Sequence, residues 1–212
     1  MDPEFWHSRW RAGQIGFHEG RVNRMLAAHI GALNLSAGAR LFIPLCGKAV
    51  DIHWLLSEGY RVAGIELSEI AVRDLFGEMD AKPEISQVGP LKRFAAQGVD
   101  IFVGDVFTLT SGILGPVDAV YDRAALVALP ESIRGRYAAH VAAITPQAPQ
   151  LLVTFQYDQT AMDGPPFSLS EAEVRTRYGA QYDISVLADE DVPGGLKGVC
   201  PATEKALLLT PL

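Results

Sequence analysis

The segment Leu41-Phe42-Ile43-Pro44-Leu45-Cys46-Gly47-Lys48, with Asp51 just after it and Val62-Ala63-Gly64-Ile65-Glu66 further on, decides the fold. An apolar run enters a tight turn, a helical stretch follows, and a second apolar run ends in an acid. That is the layout of a nucleotide-binding βαβ unit, whose acid, roughly 20 residues past the turn, reaches ribose hydroxyls. A dinucleotide site needs a glycine-rich turn that brings pyrophosphate against bare backbone, and Pro44 to Lys48 does not supply one. A cofactor with a ribose and no pyrophosphate fits better. S-adenosylmethionine is such a molecule, so the expectation is a methyltransferase.

Composition sets the outer limits. The 212 residues favour one domain, 1–212, without a second core. A chain 49% hydrophobic and 20% charged has the balance of a soluble globular protein. The net charge of -7 argues against general nucleic-acid binding, which needs a basic footprint. It leaves room for small anionic substrates held by local arginines. The longest apolar runs, such as Ala206-Leu207-Leu208-Leu209, are too short to span a bilayer. Met1-Asp2-Pro3-Glu4 is acidic and no signal-peptide core follows it. The two cysteines, Cys46 and Cys200, imply neither a disulfide framework nor a metal site. A reducing cytoplasm is the expected location, and a monomer the expected state.

Along the chain, Trp6 to Trp10 reads as a short helix, Gln14 to Gly20 as a loop, and Asn23 to Leu33 as a helix. Arg40 to Pro44 is the first strand, Asp51 to Ser57 its helix, and Arg61 to Ile65 the second strand. Ser68 is placed to cap a helix running to about Gly77. Residues 80–92 hold two prolines, two glycines and mixed polarity, and read as a loop or insertion. Val99 to Val103, Val117 to Tyr121 and Leu151 to Tyr157 are further strands. Ser132 to Ile144 is helical between the last two. Asp158 to Ser170 is loop, and Ser170 with Glu173 is a capping box opening a last helix to Tyr178. Strands near Asp183 to Leu187 and Lys205 to Leu209 form an antiparallel hairpin. Alternating strands and helices mean a parallel sheet with helices on both faces and a ligand crevice at the strands' carboxyl ends. Pro44 to Lys48, Glu66, Asp105, Asp122, Arg123 and Gln156 onward all fall at such ends.

Together these residues resemble the thiopurine S-methyltransferase family of class I S-adenosylmethionine-dependent methyltransferases. The resemblance runs along almost the whole chain. It is carried by Phe5-Trp6-x-x-Arg9-Trp10, Gly16-Phe17-His18, Pro44-Leu45-Cys46-Gly47-Lys48, Gly64-Ile65-Glu66-Leu67-Ser68, Asp122-Arg123-x-Ala125-Leu126-Val127-Ala128, Gly164-Pro165-Pro166-Phe167 and Thr203-Glu204-Lys205. It implies a Rossmann-like seven-stranded sheet, mostly parallel with an antiparallel last strand. It also implies an N-terminal helical lid over residues 1–35 and methyl transfer to sulfur, with S-adenosylhomocysteine as product. Leu45, Asp105 and Val106 match family contacts to the cofactor, and Arg123 matches an arginine near both cofactor and acceptor.

Each site residue has a plainer reading beside it. Glu66 accepts two ribose hydroxyl bonds, or is a solvated strand-end acid. Leu45 contacts the cofactor through its backbone, or packs strand on helix. Cys46 as a nucleophile lacks any sign of a positioned base. Lys48 neutralises the site, or is a solvated lysine. Asp105 accepts from the adenine amine while Val106 covers the ring, or Asp105 caps a helix. Arg123, charged at every relevant pH, orients cofactor and draws in an anionic acceptor, or forms a structural pair with Asp122. Trp10 covers the sulfonium, a cation beside an aromatic face; Phe17 lines the acceptor side. His18 is a proton acceptor or only a hydrogen-bonding group, and Trp6 docks into the core. Pro165, Pro166 and Phe167 wall the acceptor pocket, or are a surface loop.

The chemistry expected is in-line displacement. A sulfur nucleophile attacks the sulfonium methyl carbon, so neither metal nor general acid is needed, and an aromatic thiolate needs no strong base. Animal members of the family carry a second arginine before the last strand. Here that loop, Asp189-Glu190-Asp191-Val192-Pro193-Gly194-Gly195-Leu196-Lys197, is acidic and has none. The acceptor is therefore open, with small aromatic thiols first and selenium or tellurium compounds, as for bacterial members, alongside. A nicotinamide oxidoreductase is disfavoured by the turn. A non-catalytic protein binding S-adenosylmethionine or a small thiol is the remaining alternative.

Overall fold

The computed structural model describes residues 3–16 and 18–212. In chain order it holds α1 (Pro3–Arg11), α2 (Arg24–His29) continued as a 3-10 turn (Ile30–Leu33), β1 (Arg40–Pro44), α3 (Val50–Ser57), β2 (Arg61–Glu66) and α4 (Glu69–Glu78). Then come β3 (Glu84–Val88), β4 (Leu91–Ala96), β5 (Val99–Val103), a 3-10 turn (Val106–Thr108), α5 (Ser111–Leu114) and β6 (Ala119–Arg123). A 3-10 turn (Leu126–Ala128), α6 (Glu131–Ile144), β7 (Gln150–Tyr157), a 3-10 turn (Gln159–Ala161), α7 (Glu171–Tyr178), β8 (Tyr182–Asp191) and β9 (Ala202–Pro211) complete it. No described helix is long and apolar enough to cross a membrane. The elements divide into two compact units, one of Met1–Arg24 with Leu35–Ala119, the other of Met25–Asn34 with Val120–Leu212.

In the first unit β2 lies between β1 and β5 and runs parallel to both, pairing Phe42 with Ala63 and Ile65 with Phe102. Leu41 to Ile43 and Val62 to Ile65 are buried without alternation, as strands covered on both faces must be. Gly64 is there because a Cβ would stand 2.8 Å from both Cys46 Sγ and Ile101 Cδ1. Residues 80–92, expected as a loop or insertion, are irregular only over 80–83 and at the turn 89–90. They build β3 and the start of β4, an antiparallel hairpin that extends β5. Its polarity misled the sequence reading because β3 is exposed or half-buried along its whole length.

In the second unit β6 runs parallel to β7, and β9 lies antiparallel between β7 and β8, with an irregularity at Val186 and Ala188. The antiparallel hairpin is as expected but twice as long, ten residues in each strand. β6 begins at Ala119, two residues later than expected; just before it Asp118 exchanges bonds with Arg40, its carboxylate accepting from the Arg40 amide at 2.7 Å and its amide donating to Arg40 O at 2.8 Å. α6 buries Tyr137, Val141 and Ile144, leaves Ile133 and His140 of the apolar face expected from its helical spacing half-buried, and packs against α7. The α/β class stands, with a parallel core and an antiparallel last strand. The expected seven strands are nine among the described residues.

Candidate active site

The turn after β1 is a tightly constrained stretch of backbone. Leu45 and Gly47 both have left-handed φ, 48° and 52°, and the Cys46 amide between them donates to Ile65 O at 3.0 Å. A leucine held there is strained, a condition met chiefly where function needs it. Trp10, buried on α1, lies over this turn: a Cβ on Gly47 would meet its Cζ2 at 3.2 Å. Glycine leaves the indole its room there, and the left-handed φ favours glycine as well.

Glu66 ends β2 beneath the same turn, 6% exposed. Its Oε2 accepts from the Gly47 amide at 2.9 Å and its Oε1 from the Ser68 amide at 2.8 Å. Burial raises its pKa, and the amides of Ser68, Gly47 and Leu67 oppose that rise. The solvated strand-end acid is thereby excluded. A carboxylate offers about four acceptor positions and the Gly47 and Ser68 hydrogen bonds take two of them, so positions remain for ribose hydroxyls. A buried carboxylate with spare lone pairs, beside a turn roofed by an indole, fits a ribose nucleoside carrying a cation. Ser68 stands at the N-cap of α4, but its side chain makes no cap bond, contrary to expectation.

Around this centre the plainer readings hold for Asp105 and Cys46 and fail for Lys48 and Trp6. Asp105 is exposed and caps the Val106–Thr108 turn, its Oδ1 accepting from Phe107 N at 3.0 Å; Val106 beside it is buried. Lys48 pairs with Glu78 at 2.6 Å and is not a solvated lysine. Burial first, and the Glu66 charge next, push the Cys46 thiol well above its usual range, so it is not a nucleophile. Trp6 is half-buried, edge-on to Phe5, and does not reach the core expected of it. Half-buried His18 follows the loop, its amide bonded to Ile15 O. Asn23 N donates to the buried Asp51 carboxylate at 2.7 Å, fastening the end of that loop to α3. Phe17, expected on the acceptor side, lies outside the described residues. Among the described residues no cluster could hold a metal.

The second unit presents Arg123 at the end of β6, half-buried. Asp122 before it is buried and turned elsewhere: Oδ1 accepts from Leu126 N at 3.0 Å and Oδ2 from Tyr137 OH at 2.7 Å. Those bonds close the chain over Ala124, whose φ is 61°. Burial raises the Asp122 pKa to about 6 despite the Tyr137, Leu126 and Ala125 bonds. The Gly164–Phe167 loop is held at each step. Lys197 Nζ donates to Pro165 O and Tyr157 OH to Pro166 O, both at 2.7 Å, and Phe167 N donates to Val127 O at 2.7 Å. The Phe167 ring lies 5.3 Å from Arg134 Cζ. Pro166 and Phe167 are half-buried in a braced loop. Sequence reasoning passed over Arg134 and Lys197, since their partners lie far along the chain. A hollow of about 390 Å³ along the β8–β9 loop is lined by none of the expected site residues.

The model of the family described as thiopurine S-methyltransferase matches residues 1–204. A thiopurine S-methyltransferase of Xanthobacter autotrophicus is 57% identical over 210 residues, covering 99% of both chains. One of Gluconobacter oxydans is 50% identical over 208 residues, 98% of this chain and 94% of that one. Among solved structures, the fold is similar to Burkholderia thailandensis 1,6-didemethyltoxoflavin-N1-methyltransferase with bound S-adenosylhomocysteine, at TM-score 0.67 and 17% identity, covering 98% and 87% of the chains. It is likewise similar to the magnesium protoporphyrin IX methyltransferase of Synechocystis with bound S-adenosylhomocysteine, at TM-score 0.64 and 14% identity, covering 98% and 99%.

Proposed function

Since the chain belongs to the thiopurine S-methyltransferase family, whose methyl donor is S-adenosylmethionine, we propose that it methylates the sulfur of a small aromatic thiol. Thiopurines and related thiols are the acceptor class, with small selenium or tellurium compounds beside them. The observation that carries this reading is the buried Glu66 carboxylate, bonded to the Gly47 amide beneath Trp10, with acceptor positions to spare.

Glu66 fixes the ribose, the Leu45 turn receives the methionine part, and Val106 covers the adenine that Asp105 reaches with its second oxygen. Trp10 shields the sulfonium. When bound, S-adenosylmethionine supplies an electrophilic methyl carbon. Arg123 orients the cofactor and attracts an anionic acceptor, and Phe17, His18, Pro166 and Phe167 bound the acceptor's space. A thiolate needs no base and a departing thioether no acid, so the chain contributes alignment and exclusion of water, worth up to ~7 to 11 kcal/mol in well-oriented systems. The family match across both units supports one methyltransferase domain. The net charge of -7 supports a protein that ignores nucleic acid, and the two free cysteines fit a reducing cytoplasm. We take it to act as a monomer.

The test is transfer of a radiolabelled methyl group from S-adenosylmethionine to a panel of aromatic thiols. Labelled thioether, absent without protein, is the expected product. Tight cofactor binding with no turnover across the panel would overturn the reading in favour of a binding protein.

A further inference from the structure

Arg134 lies on the first turn of α6 with its side chain 5% exposed. Three contacts hold it. Nε donates to Leu129 O at 2.8 Å, Nη1 donates to Glu173 Oε1 at 2.8 Å, and the guanidinium carbon stands 5.3 Å from the Phe167 ring centre. Glu173 is shared: the same oxygen accepts from Arg177 Nε at 3.1 Å and Nη2 at 2.6 Å. One carboxylate thus serves two guanidiniums, and the trio keeps one positive charge. The Arg134 charge also reaches the Tyr157 hydroxyl, whose bond holds Pro166.

This charge is built into the frame of the Gly164–Phe167 loop. Phe167 N is tied to Val127, and Arg134 is tied to Leu129 just beyond the same 3-10 turn. A cation poorly reached by water acts through a lower effective dielectric and is felt farther than a surface charge. A structural strut alone needs no net charge, yet Arg134, Arg177 and Glu173 together carry one, with the buried Asp122 carboxylate acting on Tyr178 beside Arg177. We propose that Arg134 is a specificity-determining residue for the methyl acceptor: its guanidinium beneath the Phe167 ring favours acceptors that carry a negative charge beyond the reacting sulfur. This rests on the reading that Phe167 walls the acceptor pocket.

The experiment compares kcat/KM for 4-mercaptobenzoate and 4-methylbenzenethiol, aromatic thiols that differ in one carboxylate. Arg134→Met should lower the ratio of charged to uncharged acceptor roughly tenfold, the size of a modest charge interaction in a partly shielded site. Arg134→Lys should keep most of the ratio. Glu173→Gln, which removes the shared carboxylate, should raise it. S-adenosylhomocysteine affinity should not change in any of them. An unchanged ratio in folded Arg134→Met overturns the proposal. If that variant does not fold, an unchanged ratio in Glu173→Gln does so. Phe167→Ala separates the two levels: unaltered KM for both thiols removes Phe167 from the pocket, whatever Arg134 does to the ratio.

Discussion

The Oε2 oxygen of Glu66 accepts a hydrogen bond from the Gly47 amide at 2.9 Å, joining the tip of β2 to the turn that leaves β1. One carboxylate therefore shapes the turn, and in the proposed function it also holds the sugar. Glu66→Ala should weaken S-adenosylhomocysteine binding about 100-fold or more, since bonds to a charged group contribute ~1.5 to 3 kcal/mol each and two are lost. Calorimetry on the folded variant measures this, and unchanged affinity removes the assignment.

Trp10 is expected to matter more for the charged cofactor than for its product. A cation over an indole is stabilised by ~0.5 to 2 kcal/mol, so Trp10→Ala should cost roughly 2- to 30-fold in S-adenosylmethionine affinity. Uncharged S-adenosylhomocysteine should lose less, and Trp10→Phe should lie between wild type and alanine. Equal losses for the two ligands would leave Trp10 as a packing residue.

Arg123→Ala should reduce kcat/KM for anionic acceptors more than for neutral ones. The difference should be about tenfold or more, the scale of one charge-assisted hydrogen bond. Steady-state kinetics with matched thiols decides it, and equal losses would contradict the steering role.

Asp122 should make stability depend on pH. Its pKa is raised to about 6 from the ordinary 3.8, so between those values the folded protein keeps a proton that the unfolded chain has lost. Stability must then fall as pH rises through that window, by about 3 kcal/mol at most, and level off above it. Urea unfolding from pH 4 to 7 should show this decline in the wild type and a flatter profile in Asp122→Asn. Parallel profiles would refute it.

The buried strands were legible because burial on both faces leaves continuous apolar runs, as in Leu41-Phe42-Ile43 and Val62 to Ile65. Glu66 and the turn were legible because βαβ geometry fixes the distance between them. The β3–β4 hairpin was not, since an exposed edge strand writes no apolar alternation. Ser68 looked like a cap, but its amide belongs to Glu66. Asp105 was legible as either ligand or cap, and the fold uses one of its oxygens as a cap. Arg134 left no local signal. Its partners lie at Phe167 and Glu173, and the capping box at Ser170 explained Glu173 by its own amide bond, without the two arginines on its carboxylate.

The decisive measurement is a crystal structure of the protein soaked with S-adenosylhomocysteine. Both ribose hydroxyls should lie within hydrogen-bond distance of the Glu66 carboxylate, with the sulfur beneath Trp10. A nucleoside bound away from the tip of β2, or a Glu66 carboxylate bonded only to backbone amides with the ligand present, would contradict this placement.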